Sequence, residues 1–229
     1  MIQVVLFDVN ETLGDLSSLR GRLEDVGAPG HLLPTWFAGT LRDGMGLTAA
    51  GAYADFAEVA ECGLRSLLTG LDGWAGDARR AAAHVMSGFG DLDVHPDVPD
   101  AVRALHSAGL RPATLTNGSA AVTEGLLDRA GVRDLFEALL DVSVPRAWKP
   151  APAAYRHAVD RLGVAPDRIL LVAVHPWDVD GARRAGLRAA WLNRAALPYP
   201  SMFEQPHHTI TDLRDLPDLL TAGRPREPG

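Results

Sequence analysis

The chain has 229 residues, 47% of them apolar and 22% charged, the balance of an ordinary soluble globular protein with room for one domain or for a core carrying an insert. A net charge of −7 with no basic patch argues against nucleic acid as a partner, and no apolar stretch approaches the roughly 20 residues that span a bilayer. Cys62 is the single cysteine, so no intramolecular disulfide can form; a reducing cytoplasm is the expected setting, with Cys62 inert. The first residues run straight into a strand-like pattern, so no secretion signal is expected.

The first strand-like run, Gln3–Phe7, ends at Asp8. An acid at the carboxyl end of a buried strand is costly to desolvate unless its charge is used. In open α/β sheets that end of the strand is where ligands bind. Two residues on stands Asn10, where a second acid would be the natural proton donor for phosphoryl transfer. Asp8 therefore reads as a nucleophile, in chemistry unlike a phosphatase's.

From Leu13 to about Phe89 only helix-like stretches follow: Leu16–Val26, Pro34–Arg42, Ala49–Leu68 and Asp77–Ser87. The glycines and prolines among them (Gly27, Pro29, Gly30, Pro34, Gly44, Gly46) predict short helices. The simplest account is a helical cap, residues 14–89, inserted after the first strand and closing over its carboxyl end. Gly14 and the stretch around Phe89 are the expected hinges.

Beyond Asp93, helices and strands alternate. Helical patterns at Asp97–Ala108, Ala120–Ala130, Ala151–Leu162 and Trp177–Ala185 separate strands at Arg111–Thr116, Ala138–Val142, Ile169–Val174 and Ala189–Leu192. Gly109, Gly131 and Gly186 suit helix C-termini. Such alternation indicates βαβ units in a mostly parallel sheet. Residues 1–13 and 90–229 thus form the expected α/β core, with a polar, proline-rich tail from Arg224 expected to fray.

Four stations fall at carboxyl ends of predicted strands, where the fold would gather them. Asp8, with Asn10 and Thr12, is the first. At the second, Thr116-Asn117-Gly118-Ser119, a strand turns into a helix and offers donors to an anion, or simply caps that helix. Lys149, stiffened by Pro150 and Pro152, is the third. The fourth is Ala173-Val174-His175-Pro176-Trp177-Asp178, followed by Asp180, where an acid could equally cap a helix and Trp177 could be core. His95, His207 and His208 read as structural or surface residues.

In that order, Asp8, Thr116-Asn117, Lys149 and Asp178 resemble the haloacid dehalogenase superfamily, and in particular its L-2-haloacid dehalogenase branch, over nearly the whole chain; Gly181-Ala182 and Asn193-Arg194 fit the same pattern. The resemblance implies a Rossmann-like parallel sheet core with an inserted helical cap. It implies Asp8 as the nucleophile, Lys149 holding it ionised, and Asp178 activating water against an aspartyl ester. Thr116 and Asn117 would anchor the carboxylate of a small 2-halo acid. No cofactor is implied, and a homodimer is a possible assembly.

The departures bear on the substrate. Asn10 replaces an aromatic hydroxyl, Ala173 and His175 replace a Ser and an Asn, and Phe37 follows Trp36 where the branch has a halide-binding arginine. Arg20, Arg42 or Arg65 could supply that charge, or halide capture could rest on Asn117, Trp177 and an apolar wall including Phe37. His175 could share proton handling with Asp178 or satisfy local backbone groups. Two alternatives stand beside the dehalogenase: a phosphatase with degenerate motifs that uses Mg²⁺, and a non-catalytic binding module. Val174, where phosphatases of the superfamily commonly have an acid, leaves few oxygens for a magnesium shell.

Overall fold

The structure, a computed structural model, describes residues 1–221; the tail from Arg224 lies outside them. Its centre is a six-stranded sheet of β1 (Val4–Phe7), β4 (Arg111–Thr116), β5 (Ala138–Asp141), β6 (Ile169–Ala173), β7 (Arg188–Leu192) and β8 (His208–Ile210). The strands run parallel in the order β5-β4-β1-β6-β7-β8. All four residues of β1 are buried, as a central parallel strand requires. Its alternate side chains feed two cores: Val5 and Phe7 pack with α5 (Val98–Ser107) and α9 (Leu216–Thr221), and Val4 and Leu6 with α7 (Pro152–Leu162) and α8 (Pro176–Arg184). A further helix, α6 (Ala120–Arg129), follows β4.

A third hydrophobic cluster belongs mainly to the helical segment: α1 (Leu19–Asp25), α2 (Leu33–Ala49), α3 (Phe56–Thr69) and α4 (Ala78–Ser87). The chain enters this segment through β2 (Gly14–Asp15) and leaves it through β3 (Asp93–Val94), which pair antiparallel. The return crossing therefore falls after Phe89, whose buried ring packs on Trp36 and Phe56. Among the described residues no helix is long and apolar enough to cross a membrane.

One helix, α2, is longer than the glycines predicted. The pattern at Pro34–Arg42 grows into the 17 residues of α2, and that at Ala49–Leu68 starts only at Phe56. Gly51, at φ 75°, ends the first, and the Asp55 side chain accepts from the Glu58 N–H to start the second. Gly44 is no helix breaker, because the Trp148 indole of the sheet domain lies against it; a Cβ there would stand 2.4 Å from the ring. Three features escaped the sequence pattern, β8, the β2–β3 ribbon and α9, all too short to show a period.

Candidate active site

After β1 the chain turns tightly: the N–H groups of Thr12, Leu13 and Gly14 all donate to the Val9 carbonyl. This turn carries Glu11 at φ 64°, a left-handed conformation uncommon outside glycine. It also folds Thr12 back, so its hydroxyl donates to Asp8 Oδ2 at 2.7 Å and accepts from the Val174 N–H at 3.1 Å. Arg194 fixes the turn from below, donating to the Thr12 carbonyl while its guanidinium forms a two-pronged bridge to Asp97 at 2.9 and 3.0 Å.

The other oxygen of Asp8 meets Lys149. Lys149 Nζ lies 2.8 Å from Asp8 Oδ1 and 2.6 Å from Asp178 Oδ2. The remaining oxygen of Asp178 accepts from the Tyr155 hydroxyl at 2.6 Å. Side-chain exposure is 5% for Asp8 and 0% for Lys149 and Asp178, so Asp8 alone of the three is open to a ligand. The Lys149 backbone is clamped by Asn117, whose Oδ1 accepts from the Lys149 N–H at 2.7 Å and whose Nδ2 donates to its carbonyl at 3.3 Å.

Electrostatics separates the two carboxylates. Burial raises the cost of ionising Asp8, but the Lys149 charge, His175 and the hydrogen bonds from Lys149 and Thr12 outweigh it and hold its pKa below the usual carboxylate range. For Asp178, burial together with the Asp8 charge outweighs Lys149 and pushes the pKa up. Burial opposes the Lys149 charge as well, yet Asp178 and Asp8 keep its pKa above the ordinary lysine value. Two carboxylates on one ammonium with pKa values pushed apart are the mark of a site where the groups have different tasks.

Around this floor lies a rim. His175, the residue ahead of α8, places Nε2 3.8 Å from Asp8 Oδ2 and 3.6 Å from Glu11 Oε2. Its ring is sandwiched, stacking on Trp177 at 5.0 Å and facing Phe37 of α2 at 6.3 Å. Phe37 is thus both part of the helical cluster and a wall of the rim. A cavity of about 630 Å³ opens between the sheet domain and the helical segment. Asn10, Thr116 and Ser119 line it on one side, and Phe56, Met86 and Phe89 on the other.

The expected site residues thus fall into three groups. Asp8, Lys149 and Asp178 meet directly, with Asn117 behind them; His175, Trp177 and Phe37 form a stack beside Asp8, while Asn10 and Thr116 line the cavity. Thr116 Oγ1 accepts from the Gly118 N–H. The three arginines considered for a halide site are engaged elsewhere: Arg20 with the Gly30 carbonyl, Arg42 with Asp43 and Arg65 with Glu61. Asp180, the other candidate acid of its helix, pairs with Arg184. His207 accepts from the Ala189 N–H beside Arg183, a structural place. Sequence reasoning missed Tyr155, Glu11 and Asp97. Tyr155 alone had a readable signal, a hydroxyl on the apolar face of a helix that would need a buried partner.

A family model described as haloacid dehalogenase-like hydrolase matches residues 2–186. The chain is 31% identical to the (S)-2-haloacid dehalogenase of Pseudomonas sp. (strain YL), covering 100% of this chain and 99% of that one. It is 30% identical to the haloacetate dehalogenase H-2 of Moraxella sp. (strain B), over 96% of this chain and 99% of that one. A solved structure, the L-2-haloacid dehalogenase from Xanthobacter autotrophicus with chloropropionic acid covalently bound, superposes with a TM-score of 0.88 at 27% identity, covering 98% of this chain and 100% of that one. The protein therefore belongs to the haloacid dehalogenase-like hydrolase family.

Proposed function

We propose that the protein displaces halide from a small 2-halo carboxylic acid through an ester formed on Asp8, without a metal ion. The observation that carries this reading is Asp8 itself: a carboxylate held ionised by Lys149, oriented by Thr12, and the only member of its charged cluster with an open face. The names of the relatives support it, as does the covalently bound chloropropionic acid of a structural neighbour.

In the first step Asp8 attacks the carbon that bears the halogen. A C–O bond forms as the carbon–halogen bond breaks, and the halide leaves with the electron pair. Lys149 keeps the nucleophile anionic, and Asp178 and Tyr155 keep Lys149 in place. In the second step water attacks the ester carbonyl on Asp8, releasing the 2-hydroxy acid and restoring the carboxylate. Thr116 and Asn10 on the cavity wall receive the substrate, Asn117 holds the lysine loop, and the stack of Phe37, His175 and Trp177 walls the site beside Asp8. Residues 14–89 act in this reading as a cap over a core of residues 1–13 and 90–229. The enzyme works in the cytoplasm on a small molecule, with neither nucleic acid nor membrane as partner, and a homodimer is a possible assembly.

Magnesium suits this donor set poorly. The ion demands an octahedral shell of oxygens. Here both oxygens of Asp178 are bonded to Lys149 and Tyr155, both of Asp8 to Thr12 and Lys149, and Val174 offers no side-chain donor. A scaffold, for its part, has no use for three desolvated charges.

The test is halide release from a panel of 2-haloacids in the presence of EDTA. Release should persist in EDTA and fall by at least about a thousandfold in Asp8→Asn. Silence toward every haloacid, with Mg²⁺-stimulated release of phosphate from small esters instead, would replace this reading with the phosphatase.

A further inference from the structure

The ester step has a requirement that the buried cluster does not meet. Alkylation of Asp8 consumes no proton and releases none. Hydrolysis of the ester takes up water and leaves an ionised Asp8, a 2-hydroxy acid and one proton, which must be removed from the attacking water and carried out. Asp178 is badly placed for this. Lys149 holds one of its oxygens and Tyr155 the other, its side chain has no exposed surface, and burial biases it toward its neutral form.

On the other face of Asp8 stands a different pair. His175 Nε2 is 3.8 Å from Asp8 Oδ2, beyond direct hydrogen-bond length and suited to an intervening water. The same nitrogen is 3.6 Å from Glu11 Oε2, and the Glu11 side chain is 44% exposed, so it reaches from the site to solvent. The ring cannot turn freely between Trp177 and Phe37. Glu11 is held in place by its backbone, whose N–H donates to the Gly14 carbonyl and whose carbonyl meets His95 Nε2, all at a left-handed φ that glycine would adopt at less cost. A strained glutamate whose carboxylate faces the rim histidine points to a use for that carboxylate.

We propose that His175 is the general base of ester hydrolysis and that Glu11 is the residue that positions it and passes its proton to solvent. His175 Nε2 takes a proton from water as the water oxygen bonds to the Asp8 carbonyl carbon. When the tetrahedral adduct collapses, the bond to the alkoxide breaks and the alkoxide takes the proton back from His175. The proton left on the Asp8 carboxyl group then follows the same route, through His175 to Glu11 and out. Asp8, Glu11, Trp177 and Phe37 are the groups recorded against the imidazole, and the two carboxylates are its charged neighbours.

The proposal rests on the dehalogenase reading, and the experiment separates the two. Full-length wild type, His175→Asn and Glu11→Gly are mixed with excess monochloroacetate, with chloride release followed in time and the intact protein weighed. His175→Asn should release one chloride per site in a burst, accumulate the Asp8 ester, and turn over about 10²–10⁴ times more slowly than wild type. Glu11→Gly, which suits the backbone, should keep the burst rate, lose kcat and move the acid limb of the kcat–pH profile. Wild type that releases no chloride sinks the dehalogenase reading and this proposal with it. Chloride release by wild type, with variants that show no burst or that turn over at the wild-type rate, overturns the proposal alone.

Discussion

Trp148 and Lys149 are neighbours in the chain that serve two regions of opposite character. Lys149 enters a cluster of formal charges at the strand ends, where Asp8, Asp178, Tyr155 and Thr12 leave no side-chain oxygen or nitrogen unsatisfied. Trp148 enters the helical segment, stacking on Phe56 at 5.9 Å against Gly44. Its polar contacts there are two, Nε1 to the Ala54 carbonyl and its backbone N–H to Thr48 Oγ1. The charged region is specified by saturation of hydrogen bonds, the apolar one by shape. One dipeptide ties them together, so the residue next to the Lys149 ammonium packs against the helices beside the site.

That contrast predicts different responses to loss at adjacent positions. Lys149→Ala strands two buried carboxylates and should cost about 3–5 kcal/mol near neutral pH. Without the ammonium both carboxylates have pKa values raised above their unfolded ones, so the penalty appears above the unfolded carboxylate pKa. It should shrink as pH falls and both groups protonate. Trp148→Ala should cost a similar 3–5 kcal/mol, from lost packing, and the loss should not vary with pH. Denaturant melts of both variants and wild type from acid to neutral pH measure the difference. Parallel pH dependence in the two would break the distinction.

A smaller effect sharpens it. Tyr155→Phe keeps the ring in its buried place and removes only the donor to Asp178 Oδ1, leaving a buried acceptor unpaired; about 1–3 kcal/mol of stability should be lost. A neutral outcome in a urea melt would mean that another donor takes the place of Tyr155 at Asp178 Oδ1.

The smallest effect lies outside both regions. Burial, with Arg183, Arg188 and His208 nearby, lowers the His207 pKa from 6.5 to about 4. The unfolded chain therefore binds the proton more readily than the folded one. His207's contribution is fully present above the unfolded pKa and is lost as pH falls from 6.5 toward about 4. His207→Gln should flatten the melting temperature in that window and leave the response to Lys149→Ala unchanged. A slope that survives the substitution would assign it to other groups.

The alternation of the sheet domain was legible because buried parallel strands are short apolar runs with clear punctuation, and β4 falls where its sequence pattern put it. Two of the charged stations were legible for the same reason, since Asp8 directly follows β1 and Asp178 sits in the first turn of the helix after β6, whereas Lys149 lies in the loop beyond β5. The helical segment was harder to read. Gly44 and Gly46 looked like breaks, yet both lie inside α2, because the reason for Gly44 is an indole a hundred residues away. Glu11 was passed over because nothing local distinguishes an acid at a left-handed turn from a solvated one.

The sequence by itself determined the α/β class and read a helical stretch after the first strand, and it singled out Asp8, Lys149 and Asp178, which meet in the structure; all of this follows from local pattern and residue chemistry. Only the tertiary structure decided that Asp178 is sealed by Lys149 and Tyr155, that Asn117 clamps the lysine loop, and that His175 faces both Asp8 and Glu11. Those are questions of which oxygen is already bonded and which remains open. They are settled by contacts between residues far apart in the chain, which no local pattern encodes.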